Sequence, residues 1–95
     1  GPLYAYRKLR DAAEVRELGP GRFEVRHSLD PKVYATSITL AFERASGGTP
    51  DVFANGRRLA QRPPMPADGW DAEYFRAEGA NVYVTVRPNA VIEIR

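Results

Sequence analysis

The chain has no cysteine and only one histidine, one tryptophan and one methionine among its 95 residues. Without cysteine there is neither a disulfide framework nor a thiolate metal site, and the chain suits either redox compartment. No apolar run approaches the roughly 18 residues of a membrane-spanning helix. No signal peptide is read at the start. The charge of one sign is also missing: 14 Lys and Arg face 12 Asp and Glu, a net charge of +2. The signs are interspersed, as in Glu14-Val15-Arg16-Glu17 and Glu24-Val25-Arg26. Such mixing gives no basic block for a nucleic-acid partner.

What is present is alternation. Val82, Val84 and Val86 alternate with Tyr83, Thr85 and Arg87; after Pro88-Asn89, Ala90, Ile92 and Ile94 alternate with Val91, Glu93 and Arg95. Period-two patterning with β-branched residues and a Pro-Asn break predicts two antiparallel strands, a closing hairpin with one buried face. Phe23, Val25, His27 and Leu29 alternate after Gly19-Pro20-Gly21, which predicts a hairpin with the run Ala13, Val15, Leu18. Asp30-Pro31 ends the second of those strands. Thr36, Ile38, Leu40 and Phe42 predict a half-buried strand, closed by the loop 46–50. Asn55-Gly56 between short apolar runs predicts a tight hairpin, since both central residues of a type I′ turn need positive φ. Residues 77–81 read as a turn.

The sum is an all-β chain: an antiparallel β-sandwich of about seven strands, immunoglobulin-like, over residues 13–95. Residues 1–12 read as an entry segment or linker remnant, strand or short helix, because Leu3, Tyr6, Leu9 and Ala13 have near-helical spacing while Tyr4 and Tyr6 alternate. Gly1-Pro2 has the form of a protease-cleavage remnant, so neighbouring domains are expected. The predicted core is Phe23, Val25, Ile38, Leu40, Phe42, Val52, Val84, Val86, Ile92 and Ile94. A chain this size buries roughly 60–65% of its unfolded surface, enough for one two-layer core without a deep cofactor cavity.

The residues able to carry chemistry are few. His27 shares the parity of Phe23 and Val25, and its neighbour Ser28 points to the opposite face, so the two do not form a nucleophile pair. Asp68, Asp71 and Glu73 form the one acidic cluster, with oxygen ligands suited to calcium but without a dense calcium-loop signature. Gly19-Pro20-Gly21 lacks the third glycine or lysine of a phosphate-binding loop. Arg57, Arg58 and Arg62 lie on a hairpin flank without the aromatic signature of an RNA-binding sheet. No catalytic residue, metal site or cofactor is assigned.

The aromatic residues remain. Trp70, Tyr74 and Phe75 stand beside Asp71 and Glu73. A ring can stack on the C–H face of a sugar while a carboxylate accepts its hydroxyls; a lone tryptophan can equally plug the core of a small β domain. Trp70, Asp71, Tyr74 and Tyr83 are the candidate ligand residues, Tyr83 because its parity is opposite to Val82 and Val84.

The run Val52-Phe53-Ala54-Asn55-Gly56-Arg57-Arg58-Leu59, then Trp70-Asp71-Ala72-Glu73-Tyr74, then Asn81-Val82-Tyr83-Val84-Thr85-Val86 and Val91-Ile92-Glu93-Ile94-Arg95 is similar to the terminal β-sandwich domains appended to bacterial carbohydrate-active enzymes. The resemblance covers roughly the second half of the chain. It implies a non-catalytic accessory module that packs on a neighbouring domain or binds polysaccharide weakly. It carries over no binding residue. Phage-tail and adhesin modules have a similar Asn-Gly hairpin followed by an aromatic segment, so a structural module of such an assembly is the second expectation. A nucleic-acid-binding barrel would rest only on the slight basic excess. Nucleic acid and membrane insertion are therefore not expected.

Overall fold

The computed structural model describes residues 2–63 and 69–95. One helix, α1 (Pro2–Ala12), precedes eight strands: β1 (Glu14–Gly19), β2 (Arg22–Arg26), β3 (Ile38–Glu43), β4 (Val52–Ala54), β5 (Arg57–Arg58), β6 (Tyr74–Glu78), β7 (Asn81–Val86) and β8 (Ala90–Ile94). All named strand pairs are antiparallel. They form two sheets, β1-β2-β8-β4-β5 and β3-β7-β6.

The entry segment is helical. The spacing of Tyr6 and Leu9 puts both on one face; Leu9 is fully buried and Tyr6 packs against the core. Arg10 in the last turn is favourably placed for the helix dipole. Helix α1 lies against β3 and shares the core of the sheets.

The hairpin turns expected at Gly19-Pro20-Gly21 and Asn55-Gly56 form. Asn55 and Gly56 have φ of 52° and 80°, and the Asn55 side chain also accepts a bond from the Val91 amide at 2.9 Å. Gly21, with φ of 71°, turns β1 into β2. The turn expected over 77–81 is shorter: Ala77 and Glu78 still pair with Val82 and Asn81, and the chain reverses at Gly79-Ala80.

The last two strands depart from expectation. They alternate as predicted, with Val82, Val84, Val86, Ala90 and Ile92 buried, but they do not form a hairpin. β7 is central to the three-stranded sheet, and β8 crosses to lie between β2 and β4. The corner is held from outside: Asn89 Oδ1 accepts the His27 amide at 2.9 Å, fastening the start of β8 to the exit of β2. The constant-type immunoglobulin order puts strands A, B, E and D in one sheet; here the last strand is the centre of the larger sheet.

The inner faces of the two sheets meet on one core, with Phe23 and Phe42 rings 4.6 Å apart. All ten residues expected in the core are buried or packed against it, and Leu9, Ala54, Leu59, Phe75, Val82 and Ala90 complete it. Residues 60–62 run along the outer edge of β6, where Phe75 N donates to Ala60 O and Arg62 N to Phe75 O.

Candidate functional site

Trp70 is the anchor of the expected ligand surface, and it is 52% exposed. Its backbone is held tightly. Ser37, which leads into β3, donates from its amide to Trp70 O at 2.7 Å and from its hydroxyl to Ala72 O at 2.6 Å. The indole stands 6.4 Å from the Tyr6 ring at 51°, so the nearest aromatic partner comes from α1. Asp71 beside it is exposed.

Tyr74 and Tyr83 lie elsewhere on the same sheet. β6 pairs Tyr74 with Thr85 and Arg76 with Tyr83, while Phe75 and Val84 point into the core. Tyr74, Arg76, Tyr83 and Thr85 therefore share the outer face of the smaller sheet. The Arg76 guanidinium lies 4.1 Å from the centre of the Tyr83 ring, within cation–π range. One face of that ring is taken by the protein itself. Among the described residues the aromatic ring pairs are Tyr6–Trp70 and Phe23–Phe42, so Trp70 and Tyr83 do not make a ring pair.

The acidic cluster is divided. Asp68 lies outside the described residues. Glu73 is 10% exposed and accepts the Arg57 guanidinium at 2.6 Å and the Arg87 amide at 3.0 Å, with the Arg87 guanidinium at 3.8 Å. Arg57 belongs to the larger sheet, Glu73 and Arg87 to the ends of β6 and β7, so this carboxylate ties the two layers together. Its oxygens are committed to cations and an amide. Among the described residues no group of three His, Asp or Glu side chains is placed to hold a metal.

His27 Nδ1 accepts the Leu29 amide at 3.1 Å, which turns the ring toward its own chain. With Ser28, Ala12, Glu14, Arg16, Glu24 and Arg26 it lines an open groove of about 360 Å³ over the β1–β2 hairpin. The basic cluster is also engaged: Arg57 with Glu73, Arg58 with Asp51 at 2.6 Å, and the Arg62 amide with Phe75.

Sequence reasoning missed the company Trp70 keeps. Leu3, Tyr4, Val33 and Trp70 are all exposed. Tyr4 lies beside the Tyr34 hydroxyl, whose pKa is raised by desolvation first and then by this neighbour. Val33 precedes Tyr34 in the turn closed by Tyr34 N to Asp30 O at 2.9 Å. Tyr4 thus meets Tyr34, and Tyr6 meets Trp70, so α1 brings aromatic residues together with two later segments of the chain. The one signal in the sequence was Tyr4, an apolar residue off the buried stripe of the helix.

Comparison of the chain with protein families, with curated proteins and with solved structures finds no match.

Proposed function

We propose that the chain is a non-catalytic accessory module of a larger bacterial enzyme, one acting on carbohydrate, and that it contributes domain packing or weak glycan binding. Its frame is the β-sandwich with Trp70 at one end. The observation that carries the reading is the half-exposed indole, on a backbone that Ser37 ties down at Trp70 O and Ala72 O, with Asp71 beside it. A half-exposed ring suits the apolar face of a sugar, and an adjacent carboxylate suits its hydroxyls.

Trp70 is the only tryptophan, so its emission reports on this surface alone. Soluble polysaccharides should quench or blue-shift it in a saturable way, and Trp70→Ala should abolish retention on an insoluble glycan. Emission that stays constant through saturating concentrations of neutral and acidic glycans would overturn the glycan reading.

A second reading is favoured by the exposure of Leu3, Tyr4, Val33 and Trp70: a structural or interaction module of a bacterial surface or phage-tail assembly, or one docked on a neighbouring domain. Exposed apolar surface is what such contacts use. Tethering the chain to its neighbouring domain should then protect the amides of α1 from exchange without any glycan present.

A further inference from the structure

We propose that β1 is a dimer edge: two copies of this chain pair their β1 strands antiparallel about a two-fold axis at Val15, joining the five-stranded sheets into one of ten. Among the described residues β1 pairs with β2 alone and its outer edge is open. Glu14 to Leu18 are all exposed. Val15 has the parity of the buried Val25, its partner across β2, yet is 48% exposed.

The occupant is read from the charges. On the outer face β1 carries Glu14 opposite Arg26 and Arg16 opposite Glu24, with Arg16 and Glu24 in contact at 3.1 Å. Charged edges usually exclude a further strand. Here the signs at Glu14 and Arg16 are two residues apart, so a two-fold at Val15 sets each against its opposite in the second copy. The row across the joined sheet then runs Glu24, Arg16, Glu14 of the second copy, Arg26 of the second copy: alternating signs without interruption. The matching row starts at Arg26 and ends on Glu24. On the core side the same register makes an apolar row of Val25, Val15 and their two copies. An isologous contact needs this self-complementarity, and opposite charges directly across strands are favourable where like charges are not.

Sedimentation velocity over a concentration series, on the full chain, tests this. The native chain should approach twice the monomer mass as concentration rises. Glu14→Arg and Arg16→Glu should each weaken self-association by about tenfold or more, since each replaces two opposite-charge pairs by like-charge pairs. An equimolar mixture of the two variants should recover the dimer, because the heterodimer restores both pairs. Circular dichroism establishes that each variant is folded. Val15→Cys provides a second readout that leaves the charges in place. Residues facing each other in this register have Cα atoms about 4.5–5.5 Å apart, within disulfide reach. The single cysteine should therefore cross-link the dimer under mild oxidant, while Val33→Cys should not. A native chain that stays monomeric at every concentration overturns the proposal. So do variants that dimerise as well as the native chain, a mixture of the two that stays monomeric, or a Val15→Cys chain that does not cross-link.

Discussion

Gly21 and Ile94 meet backbone to backbone. The Ile94 amide donates to Gly21 O at 2.8 Å, and a Cβ built on Gly21 would lie 2.5 Å from the Ile94 carbonyl oxygen. Gly21 also holds φ of +71°. The turn between β1 and β2 is thereby packed on the end of β8, with no room for a side chain. Gly21→Ala should destabilise the fold by more than about 1 kcal/mol, since both φ and the contact oppose it. Urea unfolding reads this directly, and an unchanged midpoint would mean that the turn does not rest on β8.

Helix α1 should behave as part of the fold. Leu9 and Ile92 are both fully buried in one core. Leu9→Ala and Ile92→Ala should each cost about 2–5 kcal/mol. If α1 were an appended segment, Leu9→Ala would leave the global unfolding transition in place and change only the helical part of the circular-dichroism spectrum.

Glu73 should matter for stability and not for metal. Glu73→Ala removes bonds from Arg57 and the Arg87 amide at a side chain only 10% exposed. Hydrogen bonds to a charged group of this kind are worth roughly 1.5–3 kcal/mol. The melting temperature should fall accordingly, while a chelator should leave that of the native chain unchanged. A drop on chelation would restore the acidic cluster as a calcium site.

Acid should loosen the outer face of the larger sheet. The Glu93 carboxyl titrates below its ordinary range, first because the Arg95 side chain hydrogen-bonds it, against a smaller opposing effect of desolvation. A depressed folded-state pKa adds stability that is present above the unfolded value and is lost as pH falls through the folded one. Stability of the native chain should therefore decline more steeply on acidification than that of Glu93→Gln. Equal acid slopes in the two chains would remove this pair from the account.

The sequence by itself determined which residues face the core and where the chain turns. Both are local. Alternation in Phe23-Val25, Ile38-Leu40-Phe42, Val82-Val84-Val86 and Ile92-Ile94 follows from the pleat, and Asn55-Gly56 follows from the φ values a tight hairpin demands. Tertiary structure decided the partners. β7 and β8 have the pattern of a hairpin, yet alternation is silent on which strand lies alongside. Here β2 and β4 take β8, with Asn89 docked on the His27 amide. The helical state of residues 2–12 was likewise decided by packing, through the pocket that accepts Leu9. The candidate site divides the same way. The outward parity of Tyr83 could be read from its neighbours, but the Arg76 guanidinium over its ring, the exposure of Trp70 and its contact with Tyr6 arise only when distant segments meet. Facing is a property of one strand; contact belongs to two segments whose separation along the chain leaves no mark on either.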